Sequence, residues 1–273
     1  MFIYSLTLAL AALGSIVYCT SLPVTSWAQV WIPFVAFAVF YAAALLVVVI
    51  LIIAVSLTVN PRKKYERLSR FYYGFLNECY RFLCCLALIR IHVSGREKLP
   101  TDGRFLIVCN HRSNFDNMIQ SCSLSEYPIV YVSKPENFKI PVARRFMIRN
   151  CYLSIDRDDA RKAISTINEA ASFISRGIAC VGIFPEGHRV KGLRPDDFHA
   201  GSFKIAQKAK CPVAVLALRG AQDIHRHFPF RTTHVYLDVV DVLSYETVKN
   251  TKTSQLAQLA RAEITAALEP QAR

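Results

Sequence analysis

The sequence predicts an α/β domain with a mostly parallel sheet flanked by helices, preceded by an N-terminal transmembrane helical hairpin. Three observations lead to this fold class. Residues 1–61 contain no Asp, Glu, Lys or Arg, so the whole net charge of +13 belongs to the rest of the 273-residue chain. From about residue 89, short β-rich runs alternate with segments of helical periodicity, which is typical of a layered α/β fold. Polar clusters directly follow several of the predicted strands.

The uncharged segment holds two apolar runs, at residues 1–19 and 30–59. About 20 apolar residues suffice to cross the hydrocarbon core as a helix. A short polar turn that includes Trp27 separates the runs, so we expect a membrane hairpin over residues 1–60. A cleaved signal peptide is the alternative for the first run, but no basic segment precedes it. A re-entrant hairpin that dips into one leaflet is the alternative to a spanning one.

Residues 61–90 begin with a dense basic cluster and continue with many aromatic residues. Lys and Arg next to a span stay in the cytoplasm and favour anionic headgroups. We therefore expect an integral membrane protein whose folded domain lies on the cytoplasmic face, at the cell membrane if the source is bacterial. The aromatic stretch is compatible with an amphipathic helix on the bilayer and with a helix packed on the domain.

Residues 91–273 should form the α/β domain. The nine cysteines of the chain include no CxxC pair, and several fall in strand-like runs, which indicates free thiols in a reducing compartment. Periodicity predicts strands at 89–95, 105–110, 129–134, 151–157, 179–187, 211–220 and 234–243. It predicts helices at 115–124, 137–149, 158–176, 200–210 and 253–268.

The first polar cluster contains His111 and, five residues on, Asp116. Functional groups of an α/β sheet gather at the carboxyl ends of its strands. Histidine suits general-base chemistry near neutral pH, and a carboxylate on its other ring nitrogen would fix its tautomer. Taken alone, the pair is a short motif, and a capping Asp116 with a loop histidine explains it more simply.

The second cluster reads "FPEGHR" at residues 184–189. Gly187 allows backbone amides to approach an anion closely, and Arg189 adds a forked cation suited to phosphate. Lys134 and Arg157, which end two other strands, could converge on the same site. The simpler explanations are an ordinary turn and a surface ion pair of Arg157 with a neighbouring aspartate.

Three further histidines, His188, His225 and His227, do not complete a ligand set with zinc spacing, so we expect no metal site.

Together these clusters resemble the glycerolipid acyltransferase family, with the 1-acylglycerol-3-phosphate (lysophosphatidate) acyltransferases as the nearest branch. "NHRSNFD" matches the family's NHx4D block, and "SKPENFKIPVARRFMIRNCYLSIDR" its second block. "FPEGHR" matches the FPEGTR block, and "CPVAVLAL" falls where the family has a hydrophobic strand. The four blocks occur in the family's order over residues 90–220, which makes them far more specific together than singly.

The resemblance implies transfer of a fatty acyl group from acyl-coenzyme A or acyl carrier protein to the sn-2 hydroxyl of lysophosphatidate. It implies that His111 is the base, that Asp116 orients it, and that an amide in the following turn stabilises the oxyanion. The remaining implied site residues hold or assist the glycerol phosphate: Glu186, Gly187, Arg189, Lys134 and Arg157. No cofactor and no nucleic-acid partner are implied beyond the two substrates and the bilayer.

Three positions depart from the family pattern. His188 replaces the usual Thr, Arg144 a Gly, and Val215 a Pro. The first two affect the expected acceptor headgroup and chain length, so another lysophospholipid or glycerol 3-phosphate is an alternative acceptor. A non-catalytic, membrane-anchored lipid-binding module is the alternative of a different class. The intact His111 and Asp116 favour an enzyme.

Overall fold

The computed structural model describes residues 2–21, 29–102, 104–156, 159–192 and 194–269. Two residues singled out from the sequence, Trp27 and Arg157, lie outside these ranges.

A single seven-stranded sheet forms the centre of the α/β domain. Its order is β1-β7-β6-β2-β5-β3-β4, and every neighbouring pair is parallel except β6 and β7. The strands are β1 (Ile89–Ser94), β2 (Leu106–Cys109), β3 (Ile129–Ser133), β4 (Leu153–Ser154), β5 (Cys180–Ile183), β6 (Val213–Arg219) and β7 (Thr233–Leu243). The prediction of a mostly parallel sheet is confirmed. The edge where β2 to β6 end, and where β1 and β7 begin, is called the carboxyl edge below.

Helices surround the sheet and precede it. They are α1 (Phe2–Thr20), α2 (Ile32–Leu57), α3 (Arg70–Leu86), α4 (Asp116–Ser123), α5 (Pro141–Arg149), α6 (Ala160–Ser175), α7 (Lys204–Ala209), α8 (Ile224–His227), α9 (Tyr245–Asn250) and α10 (Thr253–Leu268). Each helical segment predicted from periodicity contains one of these helices.

The strand alternation builds a core on each face of the sheet. On β2, Leu106 and Val108 pack with α6, α7 and α10, whereas Ile107 and Cys109 pack with α3 and α4. All four side chains are fully buried. Burying Val, Leu or Ile side chains contributes roughly 1.5–3 kcal/mol each, so this doubly covered strand is a firm support for the loop that follows it.

Helices α1 and α2 form an antiparallel hairpin. Gly14 allows the close approach, because a Cβ there would lie 2.8 Å from the Phe40 ring. The Ser15 hydroxyl donates a 3.1 Å hydrogen bond to the Pro33 carbonyl. Both helices are long and apolar enough to cross a membrane by length and composition, and most of their large apolar side chains are exposed. These helices indicate membrane association of the chain.

Helix α3 packs on the domain through one face. Leu76, Tyr80 and Cys84 are buried in the same core as β2, and the Tyr80 hydroxyl lies 3.2 Å from that of Tyr152. Of the two interpretations for the aromatic stretch, the structure therefore favours the packed helix, although Phe71 at its start stays exposed. The division of the chain at residues 60 and 90 stays a prediction.

Candidate active site

The loop after β2 is held to its neighbouring strand by Asn110. Its buried side-chain amide donates to the Leu218 carbonyl at 3.0 Å, and its side-chain oxygen accepts the Leu218 N–H at 2.8 Å. This pair of hydrogen bonds to β6 fixes the chain one residue before His111. The asparagine of the NHx4D block therefore positions the histidine through the sheet.

His111 and Asp116 meet as the sequence predicts. His111 Nδ1 lies 2.7 Å from Asp116 Oδ2, with 24% of the histidine side chain and none of the aspartate exposed. Asp116 is the first residue of α4, so the loop turns into a helix between the two residues. Within the described part of the chain, Nε2 makes no hydrogen bond and is available for a substrate proton. In this geometry a histidine can act as a base while a carboxylate fixes its tautomer.

The same aspartate organises the loop itself. Asp116 Oδ2 also accepts the backbone N–H groups of Arg112 at 2.6 Å and Ser113 at 2.8 Å. Hydrogen bonds to a charged acceptor are about twice as strong as neutral ones, so three of them hold this oxygen tightly. The expectation of an oxyanion amide in the turn after His111 stays a prediction, and in this structure the Arg112 and Ser113 amides are occupied by Asp116.

Phe184, the residue after β5, fixes the histidine ring from one side. The two rings stack at 4.4 Å between centroids with a 21° interplanar angle. Phe184 in turn lies 6.4 Å from Tyr131 in a parallel arrangement. No sequence pattern predicted this stack, because the histidine and the two aromatic residues come from three different strands or the loops that follow them.

Glu186 is buried and contacts the backbone of the histidine loop. Its side chain is 1% exposed, and Oε2 accepts the His111 backbone N–H at 2.8 Å. Burial raises the pKa of Glu186 to about 7, and the negative charges of Asp196 and Asp116 add to this shift. Glu186 thus binds the histidine loop and also lines an open pocket with His188 and Asp196. Its role in holding the glycerol phosphate stays a prediction.

The turn around Gly187 ties the two polar clusters together. Gly187 adopts a φ of 77°, in the left-handed region that glycine tolerates best. The Val190 N–H donates to the His111 carbonyl at 2.9 Å. The exposed Arg189 guanidinium donates to the side-chain oxygen of Asn114 in the His111 loop. Arg189 thus contacts the loop that carries His111, and its role in holding the glycerol phosphate stays a prediction.

The other charged residues considered for the site lie at different distances from His111. Arg112, which the sequence analysis did not single out, donates from its guanidinium to the Gly192 carbonyl at 2.6 Å. Lys134 is exposed and follows β3 at the carboxyl edge, two strands from His111, whereas Arg157 is outside the described residues. His188 bonds Asp196 at 2.8 Å, and both line an open pocket beside Glu186.

No group of three His, Cys, Asp or Glu side chains that could hold a metal occurs within the described ranges. The ionisable groups around His111 are carboxylates and arginines, which suit proton transfer and anion binding.

A family model described as "Acyltransferase" matches residues 90–219, which span both clusters and the strands between them. The chain carries an acyltransferase-family domain. This acyltransferase domain contains the His111–Asp116 pair, the Gly187 turn and Arg189.

The chain is similar to curated proteins named 1-acyl-sn-glycerol-3-phosphate acyltransferase. One from Chlamydomonas reinhardtii is 28% identical over 212 residues, covering 76% of this chain and 61% of the relative. A chloroplastic one from Brassica napus is 29% identical over 161 residues, covering 59% of this chain and 46% of the relative. The chain thus spans about half to three fifths of the length of these two relatives.

A solved structure shares the fold. The crystal structure of the 1-acyl-sn-glycerophosphate acyltransferase PlsC from Thermotoga maritima superimposes with a TM-score of 0.61. The match covers 99% of this chain and 98% of that one, at 18% sequence identity. The superposition includes the N-terminal helices, so the fold prediction of an α/β domain preceded by a helical hairpin is confirmed.

Proposed function

We propose that the protein is a membrane 1-acyl-sn-glycerol-3-phosphate O-acyltransferase, which moves an acyl group from a thioester to the sn-2 hydroxyl of lysophosphatidate. The observation that carries this proposal is the His111–Asp116 pair at the carboxyl edge, with an arginine beside it. The names of the relatives support the same reaction.

His111 Nε2 is the group that takes the proton of the acceptor hydroxyl. As the hydroxyl oxygen attacks the thioester carbonyl, its proton passes to Nε2, and the positive charge on the ring is balanced by Asp116 through Nδ1. The tetrahedral intermediate then expels the thiolate, which recovers the proton from His111. A thioester is already an activated acyl donor, so positioning and one base are enough.

Arg189 is the cation that binds the acceptor phosphate. It is exposed, lies against the His111 loop through Asn114, and presents a fork that matches phosphate oxygens. Lys134 and Arg157 assist as more distant cations, and Gly187 provides the turn. Glu186 stabilises the site by accepting a hydrogen bond from the His111 backbone N–H.

The co-substrate is acyl-coenzyme A or acyl-acyl carrier protein, with no cofactor, no metal and no nucleic acid. The hairpin anchors the chain in the membrane, and the basic residues that follow it keep the acyltransferase domain on the cytoplasmic side. This location suits substrates that enter from the bilayer and carry a negative headgroup.

The test is direct. Full-length protein in detergent receives lysophosphatidate and an acyl-coenzyme A, and thiol release is measured together with phosphatidate formation. Equal amounts of thiol and phosphatidate are expected. If thiol is released and phosphatidate is absent, the acyl group goes elsewhere and the proposed acceptor is wrong.

One observation favours a second acceptor class. The His188–Asp196 pair lines the pocket beside Glu186, where the family usually has a smaller threonine. An added imidazole suits an acceptor with further polar groups. Another lysophospholipid or glycerol 3-phosphate is therefore the second candidate acceptor, and the same assay with these compounds separates the two.

A further inference from the structure

The connection from β6 to β7 spans residues 220–232 and includes Asp223 and helix α8. Its later part, residues 224–232, is called the β6–β7 loop below and combines exposed aromatic side chains with positive charge. Phe230 is 92% exposed and Phe228 49% exposed. Arg226 and Arg231 flank them, both exposed, and neither guanidinium forms an ion pair within the described ranges. Residues 224–237 contain no Asp or Glu. Large apolar side chains exposed in such a cationic setting are unusual on a water-facing surface.

The backbone of the β6–β7 loop is anchored to the domain by a buried residue and by hydrogen bonds. Ile224 at its start is buried, and the N–H groups of Phe230 and Arg231 both donate to the His227 carbonyl, at 3.0 and 2.8 Å. His227 Nδ1 lies 3.0 Å from the Thr233 hydroxyl. The two phenylalanines are thus presented by a fixed backbone.

The loop lies at the carboxyl edge, on the same side of the sheet as His111. Arg219 at the end of β6 pairs with Tyr236 near the start of β7, so the connection between them crosses this edge. Asn110, one residue before His111, is bonded to Leu218 near the end of the same β6 strand. The exposed phenylalanines and the proposed base therefore belong to one surface of the domain.

The start of α1 contacts the domain near the same edge, whereas the end of α2 contacts the start of α3 through Thr58 and Tyr72. Tyr4 near the start of α1 contacts Phe82 near the end of α3, with 6.5 Å between ring centroids. The end of α3 leads into β1, whose first residue Ile89 pairs with Thr233 at the carboxyl edge. Thr233 directly follows the β6–β7 loop. One end of the hairpin and the loop are therefore joined to neighbouring strands at this edge.

We propose that the β6–β7 loop is a second membrane contact, in which Phe228 and Phe230 enter the headgroup–acyl boundary and Arg226 and Arg231 bind anionic headgroups. Apolar side chains enter this boundary and nearby basic side chains are attracted to anionic lipids. With the hairpin as the first contact, the loop holds the carboxyl edge against the bilayer surface. His111 then meets an acceptor that never leaves the membrane, and in this respect the inference rests on the proposed function and extends it.

A bilayer fits the loop better than a protein partner does. A protein partner would need an acidic, aromatic-binding groove, whereas an anionic bilayer supplies both the negative charge and the apolar layer. The hairpin already brings that bilayer close to this edge of the domain. The position of the β6–β7 loop therefore favours a lipid bilayer as its binding partner.

The experiment uses a depth-sensitive fluorophore in the full-length chain. Trp27→Phe and Trp31→Phe remove the two native tryptophans, and Phe230→Trp places a single one in the loop. The protein is reconstituted in phosphatidylcholine–phosphatidylglycerol vesicles, with or without brominated acyl chains. We expect brominated lipid to quench this loop tryptophan strongly and aqueous acrylamide to quench it weakly.

The matched control is Lys249→Trp in the same tryptophan-free background. Lys249 is exposed on α9, which follows the end of β7 at the opposite edge of the sheet. The α9 tryptophan should be quenched by acrylamide and unaffected by brominated lipid. If the loop tryptophan behaves like the α9 tryptophan, or is shielded from acrylamide without lipid quenching, the loop does not enter the bilayer and the proposal fails. The measurement needs no turnover, so its outcome is independent of whether the acyl-transfer assay succeeds.

The arginines are tested in the same vesicles. Arg226→Gln with Arg231→Gln should reduce the lipid quenching of the loop tryptophan and abolish its increase with phosphatidylglycerol content. Lys208→Gln with Lys249→Gln, two exposed lysines on α7 and α9, should leave the quenching unchanged. Equal quenching in both double variants would contradict the role of the arginines.

Discussion

Asp116 Oδ2 accepts from His111 Nδ1 at 2.7 Å while it also accepts two backbone N–H groups of the histidine's own loop. One carboxylate oxygen therefore sets both the ring orientation and the loop shape. Such coupling means that the aspartate acts on the base through geometry and charge, without touching the substrate. Substitutions at Asp116 should separate these two effects.

Asp116→Asn should keep the loop and lose most of the activity. The side-chain oxygen of asparagine can still accept the N–H groups of Arg112 and Ser113, but it no longer carries the charge that stabilises protonated His111. We expect kcat to fall about 10²-fold or more with little change in the KM of either substrate. Steady-state kinetics on both substrates provide the measurement.

Asn117→Ala is the control for changes at the start of α4. Its side chain bonds the Tyr80 hydroxyl at 3.4 Å, on the side of α3 and away from the His111 ring. Its kcat should stay near that of the wild type. A comparable loss of kcat in both variants would show that the effect comes from α4 packing and not from the aspartate charge.

Glu186→Gln should remove a pH dependence of stability. Because burial raises the pKa of folded Glu186 from 4.5 to about 7, the folded state holds the proton more tightly than the unfolded state does. Its stabilising contribution is present below pH 4.5 and is lost as the pH rises through about 7. At about 1.36 kcal/mol per pKa unit, the loss is about 3 kcal/mol.

The melting temperature of Glu186→Gln relative to wild type should therefore rise between about pH 5 and pH 8, on either side of the shifted pKa. Glutamine keeps an oxygen for the His111 N–H and carries no charge to bury. Glu169→Gln is the control, because this glutamate is partly exposed and paired with Lys64 at 2.8 Å. If the difference between Glu186→Gln and wild type is the same at both pH values, the buried glutamate does not titrate in this range.

Arg189→Ala should weaken binding of the acceptor lysophosphatidate more than binding of the acyl thioester donor. Loss of a charge-assisted hydrogen bond to phosphate costs roughly 1.5–3 kcal/mol, which corresponds to a KM for lysophosphatidate about 10- to 100-fold higher. The KM for the acyl thioester should change little. Arg194→Ala serves as the control, since this exposed arginine pairs with Glu269 at 3.1 Å. An equal rise in both KM values would argue against phosphate binding by Arg189.

Gly187→Ala should strain the turn that carries Arg189. A Cβ in the left-handed region costs roughly 1–2 kcal/mol, and the φ of 77° is fixed by the loop on both sides. We expect a lower melting temperature and a higher KM for the acceptor. Gly201→Ala should change neither, because nothing lies within 4 Å of a Cβ built there. Equal stability of the two variants would show that the turn relaxes without cost.

All seven strands lie where the sequence predicts them, because apolar, β-branched runs between turn residues leave little ambiguity. The ends of the helices are harder to predict. The sequence predicts one helix at 137–149, but Ile140 is extended before Pro141, so a short 3₁₀ helix, Pro135–Lys139, precedes α5. Helix α9 was missed although Ser244 caps it by accepting the Thr247 N–H. Its six residues are too few for a periodic signal.

Part of the candidate site could likewise be predicted from the sequence, and part could not. His111 and Asp116 are five residues apart, so a turn into a helix is enough to bring them together. Glu186 could not be placed, since its contact with the His111 amide depends on the register of β2 against β5. Phe230 lies in a loop with no periodic pattern, and only its exposure in the folded chain makes it notable. Contacts between distant segments thus carry the information that sequence patterns lack.

The most direct measurement compares the wild type with His111→Ala for phosphatidate formation from lysophosphatidate and acyl-coenzyme A. Thermal unfolding monitors the fold of both proteins. If His111 is the base, the variant should unfold at nearly the wild-type temperature while kcat falls by about 10²- to 10⁴-fold. A folded His111→Ala protein that still acylates lysophosphatidate at the wild-type rate would contradict the assignment of His111 as the base.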